Sequence, residues 1–155
     1  MYFCAFTFTE INDHAMKITL KRLDDAYHME ATNEAGLSVQ SDGAEKIGGH
    51  NRGMRPMEML ISSLGSCSSI DVINFLRKMR QPLQDIQLEI QAERDPDHTP
   101  SLFTSIHLAY HLFGNLDEAK AKKAISMSVD KYCSVARILE KTATITWSYT
   151  IYPTS

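Results

Sequence analysis

The hydrophobic pattern changes period several times along the chain. Between residues 16 and 42, "MKITLKRL", "AYHMEAT" and "LSVQSD" are short runs of strand character. They are separated by "DD" and "NEAG", turn chemistry that predicts a meander of antiparallel hairpins. "GAEKIGGHNRGMR" follows with four glycines and no periodicity, which predicts a mobile loop. Pro56 suits the first position of a helix. Apolar residues then recur at Leu60, Ile61, Leu64, Ile70, Ile73 and Phe75/Leu76, at helical spacing. The helix is predicted to run from Pro56 to about Lys78 and to stop before Pro82.

Alternation then returns. "IQLEIQAER" places Ile86, Leu88, Ile90 and Ala92 on one face and Gln87, Glu89, Gln91 and Glu93 on the other. "DPDHTP" is a turn, and "LFTSIHLAYHLF" points Leu102, Ile106, Leu108, Tyr110 and Leu112 inward. Asn115 followed by Glu118 predicts a capping box for a second helix over about 116–129. "YCSVARILEK" predicts a further short helix. "ATITWSYTIY" predicts a closing strand with Ile145, Trp147, Tyr149 and Ile151 on its large-residue face. The sum is an α+β fold: N-terminal antiparallel hairpins, a long central helix, then further antiparallel strands and helices.

Composition narrows the class without naming a function. The 155 residues fit one domain with a real core, and 43% hydrophobic with 23% charged residues is the balance of a folded chain. A net charge of −3 with no Lys/Arg run predicts neither nucleic acid nor an anionic membrane as partner. No uninterrupted apolar stretch reaches the ~18 residues of a membrane span. "MYFCAFTF" lacks the basic start and cleavage site of a signal peptide, so a cytoplasmic location is expected. There, disulfides are mostly transient and catalytic. Three cysteines (Cys4, Cys67 and Cys133) are also an odd count for a disulfide framework, although buried inert thiols are common.

The candidate chemistry reduces to those thiols. His107 and His111 have HxxxH spacing, but on a strand four residues span ~13 Å, too far for one ion. The histidines are therefore read as solvent-facing, with no metal expected. No GxSxG elbow, GxGxxG or P-loop is present, so nucleotide chemistry is not expected. Cys67 lies seven residues after Leu60, within about 20° of it around a helix, and so on the apolar, buried stripe. A mid-helix thiol gains nothing from the helix dipole, and Asp71, one turn on, opposes ionisation. Cys133 lies near the start of a short helix, with Lys131 and Arg137 close in sequence, surroundings that lower a thiol pKa. Local physics thus nominates Cys133 as the easier thiolate and leaves open whether the two thiols meet.

Two stretches carry a family resemblance. "RPMEMLISSLGSCSSIDVINFLRK" resembles the Pro-x-Glu-x-Leu…Leu-Gly-Ser-Cys helix of the OsmC/Ohr family, the osmotically induced and organic hydroperoxide resistance proteins. "SVDKYCSVARILEK" resembles that family's second-cysteine motif, and the strand and helix between them are also similar. The likeness runs from about Met16 to Tyr152, closest to the less-characterised YhfA-like branch. It implies an OsmC-like domain over 16–155 that forms an intertwined homodimer with sites at the subunit interface. It implies that Cys67 attacks an organic hydroperoxide and that Cys133 resolves the sulfenic acid to a disulfide, reduced in turn by a lipoyl-type or other dithiol, with no metal, haem, flavin or other cofactor. Residues 1–15, with Cys4, exceed the usual family start and are expected to be an extension or a misassigned start.

The chain also departs from the family pattern. Met57 occupies the place of a helix-starting Glu, and Glu58 lies nine residues from Cys67, about 180° around the helix. Glu58 would act only from a partner subunit. Arg55 is the candidate activating cation, a solvated arginine being the alternative, and Asp71 is a further supporting group. Met54, Met57, Leu60 and Leu64 are candidates for an apolar pocket wall, or for ordinary core. Two other outcomes fit the same fold: a redox-sensing or small-molecule-binding dimer with little turnover, and a structural dimer with inert thiols.

Overall fold

In the N-terminal part, three short runs pair as expected from their turn residues. A computed structural model describes residues 15–154, so Cys4 and nearly all of the expected extension lie outside the described residues. The chain divides into two compact units, one up to Pro56 and one from Met57 onward.

Among the described residues the first unit holds a three-stranded sheet and a loop. Strands β1 (Ile18–Arg22), β2 (Met29–Asn33) and β3 (Ser38–Ser41) lie in that order, each antiparallel to its neighbour. Asp24 turns the first hairpin by accepting the N–H groups of Ala26 (2.9 Å) and His28 (3.2 Å). In the second, Gly36 takes a positive φ of 79°, and Asn33 Oδ1 accepts the Leu37 N–H at 2.9 Å. The register sets Leu20 opposite Ala31 and Ala31 opposite Val39, giving one apolar face. On it Ile18, Leu20 and Val39 remain 55%, 62% and 48% exposed.

The glycine-rich loop expected to be mobile is stapled. The buried Asp42 carboxylate accepts the N–H groups of Gly43 (2.7 Å), His50 (2.9 Å) and Arg52 (3.0 Å). The Asp42 N–H donates to the Met54 carbonyl at 3.1 Å, closing the loop at its base. Backbone donors on one carboxylate supply the order that glycine content alone hides.

The second unit starts on helix α1 (Pro56–Lys78), as predicted, and adds strands β4 (Asp85–Arg94) and β5 (Phe103–Phe113). Helices α2 (Glu118–Met127) and α3 (Ser134–Leu139) and strand β6 (Thr144–Tyr152) complete it. The sheet order is β4-β5-β6. β4 and β5 are antiparallel, as expected, whereas β6 runs parallel to β5. The chain crosses between β5 and β6 through both short helices, and such a crossover brings a strand back in the same direction.

The inward face of β5 forms the core. Ile106, Leu108, Tyr110 and Leu112 are buried as their alternation predicts, but Leu102 is exposed and Phe103 is buried in its place. The cause is an irregularity at Glu93/Arg94, which shifts the pairing by one residue and flips the side chains beyond it. Gly65 lets α1 approach β4 closely, since a Cβ there would lie 2.6 Å from Ile90 Cδ1. Asp117, not Asn115, caps α2 by accepting the Lys120 N–H at 2.9 Å; Asn115 donates instead to the Thr154 carbonyl. By length and a mean hydropathy of 1.4, α1 would suffice to cross a membrane, but Leu64, Val72 and Leu76 are fully buried in this unit's core.

Candidate functional site

The buried stripe of α1 is Leu64, Gly65, Ser68, Val72 and Leu76, spaced by helical turns. It is rotated from the stripe expected: Leu60 is 36% and Ile70 59% exposed. Cys67 therefore flanks the stripe and is half-buried rather than sealed in it. Cys133 is fully buried and caps the N-terminus of α3. It enters from a widened turn, Ser128–Tyr132, in which the Cys133 N–H reaches back to the Ser128 carbonyl at 2.9 Å. Both thiols are free, and their side chains lie within hydrogen-bonding reach of each other.

The electrostatics overturn the expectation of an easily ionised Cys133. Burial pushes the Cys133 thiol up to about 11; the Ala136 and Val135 N–H groups at the start of α3 pull against this, while Cys67 adds to it. The neighbouring cations are occupied elsewhere. Lys131 Nζ stands over the Tyr132 ring, 5.0 Å from its centroid. Arg137 donates to the Val129 carbonyl at 2.8 Å and pairs with Glu140 at 2.6 Å. Desolvation outweighs the helix start, and Cys133 is held as a neutral thiol.

A small polar cluster backs the pair. Ser128 Oγ donates to the Ser68 carbonyl at 3.0 Å and lies 3.5 Å from Asp71 Oδ2. Tyr110 comes in from β5 beside Ser68, and burial, which Ser68 opposes and the charges of Cys133 and Asp71 assist, pushes its phenol up to about 12. None of Ser68, Ser128 and Tyr110 was singled out from the sequence. Only Tyr110 carried a signal, as an aromatic with a polar handle among inward-facing aliphatics. Asp71 also borders a cleft of about 590 Å³ along the second half of α1, with Phe75, Lys78, Lys123, Met127 and Tyr132. The Phe75 and Tyr132 rings meet there at 5.4 Å.

The remaining candidates are dispersed. In the first unit, Arg55 donates to the carbonyls of Asp42 (3.5 Å) and Gly53 (3.4 Å) and to Asn51 Oδ1. Glu58 is exposed in the first turn of α1, its carbonyl accepting from Ser62 Oγ at 2.8 Å. Leu64 is core rather than pocket wall; Met57 is half-buried against that core, and Met54 is 52% exposed. Among the described residues no group of three His, Cys, Asp or Glu side chains could hold a metal. His107 is tied to Thr146 (2.8 Å) and Ser148 (2.9 Å), and His111 to Tyr152 (3.2 Å), so these two are bonded across the sheet rather than simply solvated.

Chemically, a half-exposed thiol beside a sealed one can meet an external oxidant and then close to a disulfide. Known proteins give the arrangement a context. Residues 49–148 match the family described as OsmC-like protein. Protein YhfA of Escherichia coli K12 is 42% identical over 97 residues, covering 62% of this chain and 72% of YhfA. A hypothetical protein from Aquifex aeolicus VF5, solved by crystallography, superposes with a TM-score of 0.79 at 25% identity, over 92% of this chain and 99% of that one. The organic hydroperoxide resistance protein OhrB of Bacillus subtilis shares the fold, with a TM-score of 0.63 at 16% identity over 90% of this chain and all of OhrB.

Proposed function

The chain belongs to the OsmC-like protein family, and from that premise we propose that it is a thiol-dependent peroxidase reducing organic hydroperoxides through Cys67 and Cys133. The observation that carries the reading is the pairing of a half-exposed Cys67 with a fully buried Cys133 in side-chain contact. Cys67 as thiolate attacks the distal peroxide oxygen; the O–O bond breaks, the alkoxide takes a proton and leaves as the alcohol, and Cys67 becomes a sulfenic acid. The Cys133 sulfur then displaces hydroxide from that sulfenic acid, its proton leaving with it as water. An external dithiol, lipoyl-type or another, reduces the resulting disulfide by two thiol–disulfide exchanges. Within this scheme Arg55, Glu58 and Asp71 are supporting charges, Glu58 acting from a second subunit, and the protein works in the cytoplasm.

A homodimer completes the reading. The exposed apolar face of β1 and β3 in the first unit and, separately, Leu60 and Ile70 on α1 in the second are each surface for a second copy to cover. The full burial of Cys133 favours a slower, sensor-like variant of the same chemistry: away from water its thiol is pushed up, which makes it a reluctant resolving nucleophile at neutral pH.

Intact-mass analysis after brief exposure to cumene hydroperoxide tests the proposal. Wild type is expected to lose two hydrogens, Cys133→Ser to trap a sulfenic acid at Cys67, and Cys67→Ser to show neither product. No mass change in any of the three proteins would sink the peroxidase reading.

A further inference from the structure

The cleft along the second half of α1 has the volume of a small-molecule site, about 590 Å³. Lys78 and Lys123 border it, and among the described residues neither makes an ion pair or a hydrogen bond. A cation in the last turn of a helix complements the helix dipole, which accounts for a charge at Lys78. It does not account for a second lysine, from α2, on the same cleft. The carboxylate in the lining is set apart from both. Asp71 lies seven residues before Lys78, about 10 Å away along the same face of α1. Ser128 lies 3.5 Å from Asp71, and Lys123 is five residues before Ser128, about 7 Å back along α2. The cleft is therefore polarised, with an acid at one end and two ammonium groups away from it.

Between the charges the walls are apolar, Phe75 and Met79 from α1 and Met127 from α2. The aromatic surface is already engaged. The Phe75 and Tyr132 rings meet at 5.4 Å with a tilt of 55°, and Lys131 Nζ stands over Tyr132. Tilted rings, one of them capped by an ammonium, make a poor slot for a planar guest. Methionine side chains, unbranched and flexible, suit a chain that bends. A lysine ammonium is a point charge without the planar fork of arginine, so it takes an anionic head in several orientations.

We propose that this cleft binds a single-chain aliphatic monoacid, its carboxylate between Lys78 and Lys123 and its chain against Phe75, Met79 and Met127. The far end of the chain points toward Asp71, which repels a second acidic group there. Binding makes and breaks no covalent bond and does not depend on the two thiols cycling.

Calorimetric titration of the full chain with sodium decanoate, below its micelle concentration, tests the proposal. Saturable binding of one molecule per chain is expected, and the ε-methyl NMR signals of Met79 and Met127 should shift with it. Lys78→Gln and Lys123→Gln should each weaken binding about tenfold, the loss of one charge-assisted contact. Arg77→Gln and Lys122→Gln remove equal charge from the same helices outside the cleft, and should leave affinity within about twofold. All four positions are exposed, so the variants keep the fold, and matching thermal midpoints verify this. Decanol, decanedioate and 2-naphthoate should each bind about tenfold more weakly than decanoate or worse. Absence of saturable binding overturns the inference. So do equal losses in all four variants, which mark a net-charge effect, and decanol binding as tightly as decanoate, which marks a merely apolar patch. Equal or tighter binding of decanedioate or 2-naphthoate refutes the aliphatic monoacid.

Discussion

The described residues form two three-stranded sheets that treat their apolar side chains in opposite ways. β5 seals Ile106, Leu108, Tyr110 and Leu112, while β1 and β3 leave Ile18, Leu20 and Val39 about half exposed or more. Strand composition does not explain the contrast. Among the described residues the second unit has helices α1, α2 and α3 with which to cover a sheet face, and the first has a loop with a single 3-10 turn at Glu45–Ile47. Cohesion in the first unit accordingly comes from carboxylates on backbone donors, Asp24 in the first turn and Asp42 in the loop. In the second it comes from packing. The thiol pair sits where packing fixes geometry, whereas Arg55 sits on a loop whose order depends on an ionisable group.

The most damaging way to probe this contrast is Leu108→Ala. It should cost about 2–5 kcal/mol, read as a large fall in thermal midpoint, because it opens a cavity in a fully buried layer. An equal loss from Leu20→Ala would break the comparison. A smaller, local effect is expected from Asp42→Ala: amide exchange at Gly43, His50 and Arg52 should quicken at least tenfold while β5 amides keep their protection. The same loop should respond to acid. The Arg52 N–H, with those of His50 and Gly43, outweighs burial and holds the Asp42 carboxyl below its usual 3.8. A depressed pKa means the contribution is whole above 3.8 and is lost as pH falls through the lower folded value. Loop protection should therefore vanish in that acid window in wild type and show no such transition in Asp42→Ala. The smallest effect is Leu20→Thr, within about 0.5 kcal/mol on the unit itself. A loss that grows with protein concentration would show that a second copy covers this face.

Much of the fold was legible. Pro56 and Pro82 bracketed α1, whose span matches the one predicted, and the alternation in β4 and β5 identified the inward residues. What escaped depends on information that periodicity lacks. A period of two is blind to strand direction, so the parallel pairing of β6 was invisible. It is also blind to the irregularity that exchanges Leu102 for Phe103. At the site, the sequence offered two cysteines and a resemblance, but their contact is made only when the β5–β6 crossover folds back on α1. The expectation of an easily ionised Cys133 failed for a related reason: it rests on charges near in sequence and leaves out burial, which dominates there. Asp42 was overlooked beside its glycines, although Asp–Gly is a common turn signal.

The widened turn at Ser128–Tyr132 has a consequence of another kind. It holds one residue more than an α-helical turn, and the bond from Cys133 back to Ser128 closes around that extra residue. Removing any one of the five would let the segment relax to ordinary helical winding, turning whatever follows by about 100°. Side-chain identity could be kept throughout while the thiol swung away from its partner. Here the number of residues, as much as their kind, is a chemical parameter, and an alignment gap placed in this segment would be a statement about reactivity.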